Sequence, residues 1–263
     1  MNEQGMKKRA YRLLKSWCDN MLRYQIAGMN NPLLDGAIIC PGCANVHGRI
    51  ADLVYPLLLL TRETGDLRYR EAAERLVDWS EYNILCDDGV WKNDVGTTWK
   101  GISAFSAMAL GNALHHFGDL LEESVREKWM TIFLRLTDGM IALFDNGKIN
   151  PVINYYAGMA ALLAMAGKMT GREAYFTRAD EFADFCNAHF DEQGLLYGEG
   201  SPPFSVTEKG ARMIDMGYNL EESLPLLIMY AVHAGREERR QFYAARMMDH
   251  LEFLLPDGAI DNS

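Results

Sequence analysis

Apolar side chains return every third or fourth position along almost the whole chain, which is the spacing of helices that bury one face. The pattern predicts nine helices, over residues 3–27, 47–63, 67–83, 99–117, 120–144, 154–169, 173–190, 219–234 and 237–255. In the first, Tyr11, Leu14, Trp17, Cys18, Met21 and Leu22 form the expected buried stripe. Only turns such as Asp88-Gly89 and Asn146-Gly147, flanked by short extended pieces, interrupt the helices. The chain is therefore expected to be all-α.

From the second helix onward the helices alternate in character. One member of each pair is apolar almost all round, as at Leu57 to Leu60, Phe105 to Leu110, Ala160 to Ala166 and Pro225 to Met229. Its successor carries charge along one face. Turns at Gly65, Gly118, Gly171 and Gly235 join the pairs, so a helical hairpin recurs at a long helical-repeat period. Residues after Gly65 and Gly171 match position by position: Tyr69 with Tyr175, Ala73 with Ala179, Leu76 with Phe182, Trp79 with Phe185. A helix that is apolar all round must be covered on every side, whereas a one-faced helix covers it from outside. Repeated inner and outer helices describe an α/α toroid or a curved solenoid, read here as a single domain over 1–263. About four to five hairpins are fewer than the roughly six of a closed ring, so the expectation is an incomplete toroid, truncated at its C-terminus. The last residues, from Pro256, look like one more loop of the Asp88 to Asp94 kind.

All inner helices of such a fold point the same way, so the loops leading into them should gather on one rim. Those loops hold the unusual chemistry. The first runs through Cys40, Cys43, His47 and Arg49; the second through Trp91, Asn93, Asp94, Trp99 and Lys100; the third through Asn150, Asn154, Tyr155 and Tyr156. The fourth, 194–222, concentrates glycines, a proline pair and acidic side chains around Glu199, Asp215, Tyr218, Asn219 and Glu222. Loops on rigid scaffolds are where binding groups sit. Glu199 lies between two glycines that permit close approach to a ligand. Tyr218 stands just outside a helix and has no capping duty. Asn219 and Glu222 have the spacing of a capping box, so a structural role competes with a catalytic one. Trp91 and Trp99 can stack on sugar rings or serve as core, and Asn93 and Lys100 are candidate substrate contacts. His47 and Arg49 can act as acid/base and anion clamp. Cys40, Cys43 and His47 have metal-like spacing, but a structural zinc site takes four ligands and no fourth is evident, so free thiols and no metal are the expectation.

Bulk properties narrow the partners. A net charge of −10 over 263 residues disfavours nucleic acid and anionic membranes, which need a basic face. The longest apolar run, Leu53 to Leu60, contains Pro56 and is too short to span a bilayer. The basic residues near Met1 precede no apolar signal region, so a cytoplasmic protein is expected. Five cysteines, an odd number, argue for reduced thiols over a disulfide framework.

The helix alternation, with His47-Gly48-Arg49, Trp99-Lys100-Gly101, Asn154-Tyr155-Tyr156, Gly198-Glu199-Gly200 and Gly217-Tyr218-Asn219 through Glu222, resembles bacterial carbohydrate-active α/α-toroid proteins. It is similar above all to the toroid half of heparinase II/III-like and related polysaccharide lyases. The resemblance implies β-elimination from a uronate in an acidic oligo- or polysaccharide. Tyr218 or Tyr155 would exchange the proton, His47 would assist, and Arg49, Asn154 and Asn219 would hold the carboxylate. Such lyases often append a β-sandwich after the toroid, and none is evident here. Two alternatives stay open: a six-hairpin glycoside hydrolase using two of Glu199, Asp94, Asp215 and Glu221, and a glycan-binding toroid without catalysis. Terpene-cyclase toroids share the Asp88-Gly89-Val90-Trp91 turn, but no Asp-rich diphosphate-binding run is present.

Overall fold

The computed structural model describes residues 3–149 and 151–261. Asn150 of the third loop, and Asn262 and Ser263 of the terminal one, lie outside the described residues. Nine helices of ten residues or more are present among the described residues, and extended pairing there is limited to isolated bridges. They are α1 (Glu3–Leu22), α2 (Val54–Thr64), α3 (Leu67–Asn83), α4 (Ser103–Phe117), α5 (Glu123–Asp145), α6 (Ile153–Thr170), α7 (Glu173–Asn187), α8 (Leu224–His233) and α9 (Glu237–Leu251). Each expected helix is found, with ends that differ by a few residues. The expected hairpins of inner and outer helices of the α/α-toroid class recur. The chain divides into two compact units, Met1–Met140 and Ile141–Ser263.

In the first unit α2 packs between α3 and α4. Val54, Leu57, Leu58 and Leu60 of α2 are all buried, which removes water from most of its circumference. Helix α3 covers it with Tyr69, Ala72, Ala73, Leu76, Val77 and Trp79, the stripe that the spacing predicts. The Asp66 carboxylate caps α3 by accepting from the Arg68 N–H at 3.0 Å. Helix α1 departs from expectation, since Cys18 is its one buried residue and Trp17 stays 48% exposed. Polar contacts attach α1 instead: Tyr69 donates to Asp19 at 2.5 Å, and Lys15 bonds both Asp19 and the Tyr69 hydroxyl.

In the second unit α6 packs between α7 and α8 and is buried from Ile153 to Gly167 on nearly every side. Burying one large aliphatic side chain is worth about 1.5–3 kcal/mol, so α6 is the main anchor of this unit. Tyr175, Ala179 and Phe182 of α7 occupy the same buried positions as Tyr69, Ala73 and Leu76 of α3. Tyr230 of α8 donates to Asp180 of α7, and Arg236 pairs with the same carboxylate at 2.8 Å.

A second repeat sits at the C-terminal ends of the outer helices. After α3, Cys86 N–H donates to Val90, Gly89 to Cys86 and Lys92 to Ile84. The same three bonds recur after α7, through Asp191, Gly194 and Tyr197, and after α9, through Leu255, Gly258 and Asp261. The stretch from Pro256 thus folds as another Asp88-type turn, as its sequence suggests.

Candidate functional site

The sequence-picked residues form two clusters, one in each unit. In the first unit the loops preceding α2 and α4 meet. His47 and Asp94 form an antiparallel bridge, and the Gly48 N–H donates to the Asn93 carbonyl. A Cβ at position 48 would stand 2.6 Å from the Lys92 and Asn93 oxygens, so only glycine allows this approach. The contact sets His47 Nδ1 2.6 Å from Asp94 Oδ1 and Nε2 3.0 Å from Cys43 Sγ. Cys43, first through the Asn45 backbone N–H and then through His47 and Cys40, is drawn down to about 7, whereas Cys43 and Asp94 raise the His47 pKa above its ordinary value. A cleft of about 480 Å³ opens beside His47, Asp94, Asn45 and Thr97.

The other loop residues of this unit divide. Arg49 is exposed, 3.5 Å from Asp52 Oδ2, with its guanidinium 5.4 Å from the Phe105 ring centre. Trp99 is 37% exposed and accepts the Asn93 N–H at its carbonyl. Lys100 reaches Asp88 at 2.5 Å, and Asn93 Nδ2 donates to Asp94 at 2.7 Å. Trp91 is a correction. It is wholly buried, with its indole N–H on Glu81 at 2.7 Å and its backbone exchanging two hydrogen bonds with Ser103, which leaves no ring face for a sugar.

In the second unit the loop preceding α8 brings Glu199 to the start of α6. The Glu199 side chain is 6% exposed and accepts the backbone N–H of Asn154, in the first turn of α6, at 3.1 Å. The Asn154 amide donates to Glu222 at 2.8 Å, so one asparagine holds two carboxylates. Burial pushes the Glu199 carboxyl up to about 7 despite that N–H, and the charges of Asp215 and Glu222 push the same way. Glu199, Asp215 and the 45% exposed Tyr218 line a cleft of about 270 Å³ with Gly200, Met213 and Ile214. Gly198 makes room for the neighbouring wall: a Cβ there would lie 2.5 Å from the Phe204 ring, and its φ of +122° suits no other residue. Phe204 joins Tyr156, which stacks on Phe185 at 3.9 Å. Tyr155 is half-buried in the first turn of α6 and lies outside the lining of the cleft.

Asn219 is the second correction. It is wholly buried, and its amide donates to the Leu196 carbonyl at 2.7 Å and toward His250 Nε2 at 3.2 Å, so it braces the loop instead of touching a ligand. The capping box also fails to form. Asp215 is the cap, accepting the Tyr218 N–H at 3.1 Å, and Asn219 opens a π-helical turn in which the Leu224 N–H donates to the Asn219 carbonyl. Pro225 explains that turn, because it cannot supply the next helical N–H. Sequence reasoning passed over His250, which accepts the Leu196 N–H at 3.2 Å while its Nδ1 bonds the Arg246 carbonyl at 2.8 Å. Its signal was the seven-residue spacing from the buried Tyr243 on one face of α9.

The raised Glu199 pKa has a checkable consequence for stability. A carboxyl with an ordinary pKa of 4.5 and a folded pKa of about 7 stabilises the fold fully below 4.5, and that contribution is lost as pH rises through 7. The loss amounts to about 3 kcal/mol at alkaline pH. Urea midpoints of Glu199→Gln, whose amide is neutral throughout, should fall less than wild type between about pH 5 and about pH 8. Parallel pH profiles would show that Glu199 is not held neutral.

Residues 14–263 match the ulvan lyase N-terminal domain family. A broad-specificity ulvan lyase of Formosa agariphila is 36% identical over 255 residues, covering 95% of this chain and 40% of that protein, so the chain spans about two fifths of the curated relative it matches. Among solved structures, a sugar epimerase from a ruminal bacterium superposes with a TM-score of 0.66 at 13% identity, over 95% of this chain and 71% of that one. A cellobiose 2-epimerase from Bacillus thermoamylovorans gives 0.65 at 12% identity, over 96% and 75%. At such identities the structures show a shared toroid fold and no more. The family match, which begins at Leu14 in α1 and runs to the end of the chain, and the curated relative place this protein in the ulvan lyase N-terminal domain family.

Proposed function

We propose that this chain is the helical part of a polysaccharide lyase that cleaves uronate-containing glycans by β-elimination, with the cleft around Glu199 and Tyr218 as the reacting site. The observation that carries the reading is Glu199, a buried carboxyl on the wall of an open cleft whose pKa burial pushes up to about 7, beside a solvent-facing phenol. Elimination removes a weakly acidic proton from C5 of the uronate, next to its carboxylate. A neutral carboxyl hydrogen-bonded to that carboxylate takes up the charge that develops when the proton leaves. Tyr218, acting as its phenolate, then takes the C5 proton; the C–H electron pair becomes the C4–C5 double bond, the C4–O bond breaks, and the phenol so formed returns that proton to the leaving oxygen. The Asn154 backbone N–H holds Glu199 against the start of α6, while the Asn154 side chain is held by Glu222; in the first unit, Arg49, Trp99, Lys100 and Asn93 are separate candidates for glycan contact.

Glu199 and Asp215 on one cleft also support the second reading, a glycoside hydrolase with paired carboxylates. A screen of acidic polysaccharides separates the two. Elimination raises both reducing ends and the ultraviolet absorbance of the unsaturated uronate, and this is the expected result. Reducing ends alone transfer the assignment to hydrolysis. Silence in both, with glycan still bound, leaves a binding toroid. Glu199→Gln sharpens the distinction, because a neutral amide can still donate to the uronate and only weakens a lyase, whereas a hydrolase loses its acid.

A further inference from the structure

The side chains of Cys40, Cys43 and His47 place their ligand atoms within 4.8 Å of one another. We infer that these three residues form a binding site for a soft divalent cation of the zinc class, with a fourth position open to water or an oxygen ligand. The inference stands apart from the lyase reading and concerns the first unit only.

The spacing is near what coordination needs. Around tetrahedral zinc, with bonds of about 2.0–2.3 Å, ligand atoms stand roughly 3.5–3.8 Å apart. Side-chain rotations bring the present arrangement to that distance: atoms up to 4.8 Å apart draw together, and the 3.0 Å between Cys43 Sγ and His47 Nε2 opens slightly. The backbone supports it. Cys40 N–H donates to the Asn45 carbonyl and Ala44 N–H to the Cys40 carbonyl, which folds 40–45 into a tight turn with both sulfurs on one side of His47.

The decisive feature is the far side of the imidazole. Asp94 Oδ1 lies 2.6 Å from His47 Nδ1, which fixes that nitrogen as the donor and leaves the Nε2 lone pair aimed at the sulfurs. A carboxylate behind a histidine in this way orients the ring and raises its basicity toward a metal. Sequence spacing had lacked a fourth ligand, and three protein ligands with an open site are an ordinary arrangement for zinc that binds an exogenous group. The cleft beside Asn45, His47, Asp94 and Thr97 gives that position access to solvent.

The test uses the whole chain, reduced and desalted after exposure to Zn²⁺ or Co²⁺ alone. One equivalent of metal per chain should be retained by elemental analysis. Cobalt should show thiolate charge-transfer absorption, reduced by about half in Cys40→Ser or Cys43→Ser and absent in the double variant. Asp94→Asn should weaken affinity by roughly 10–100-fold without abolishing it. Absence of retained metal, an undiminished cobalt spectrum in the double serine variant, or a Cys40–Cys43 disulfide that persists under reductant would each overturn the site. Circular dichroism confirms that the variants remain helical. Should the double variant unfold, His47→Gln, which keeps both thiols, carries the test. Its affinity should drop at least tenfold, and unchanged affinity refutes the assignment.

Discussion

Tyr218→Phe is expected to lower kcat for uronate elimination by roughly 10²–10⁴-fold, the usual contribution of a positioned proton-transfer group. KM should move little, because the phenol ring and its packing stay in place and only the hydroxyl is lost. The side chain reaches solvent at the mouth of the Glu199 cleft, while the turn beneath it is fixed by the Asp215 cap. The same substitution should leave the urea midpoint within about 0.5 kcal/mol of wild type, as expected for an exposed group without a structural partner to lose. Initial rates read at the unsaturated uronate chromophore over a series of substrate concentrations separate the two parameters. A variant with wild-type kcat would remove Tyr218 from the chemistry and turn attention to Tyr155.

The largest effect on stability is expected at a residue that touches no cleft. His250→Ala should destabilise the fold by about 3–5 kcal/mol in urea denaturation monitored by circular dichroism. The imidazole is wholly buried, takes hydrogen bonds from Leu196 and Asn219 on one nitrogen and gives one to Arg246 from the other. Its removal opens a cavity and strands two donors. Burial depresses the His250 pKa, so its contribution is present above the ordinary value of 6.5 and is lost as pH falls through the folded value. The dependence is thus opposite in sign to that of Glu199, and the second unit loses stability toward both acid and alkali. A His250→Ala midpoint close to wild type would mean that Asn219 and Leu196 find other partners.

The elements of this fold were legible because helices announce themselves through period, and each inner helix of the Leu57 or Ala160 kind is apolar beyond what one face requires. The loops were legible only as loops. That Glu199 meets α6 depends on a contact between residues 45 positions apart, which no local pattern encodes. Trp91 and Asn219 were misread for the same reason, since a polar or aromatic residue at a helix entrance looks identical in sequence whether it faces a cleft or Glu81 and His250. In α1 the apolar spacing was real, yet the helix is held by the Asp19–Tyr69 bond and leaves Trp17 in solvent. Periodicity reports what could be covered, and tertiary packing decides what is.

The π-helical turn at Asn219 to Ser223 spends one residue more than an α-helical path would, and Pro225 keeps it there. Each helical residue turns the chain by about 100°, so the turn works as a phase setter between the apolar face of α8 and the side chains ahead of it. Relatives that gain or lose a single residue in this stretch would keep the same core and yet present a neighbour of Tyr218 to the cleft. Length variation at one bulge is thereby a route by which this scaffold could exchange the side chain that faces this cleft without repacking its interior.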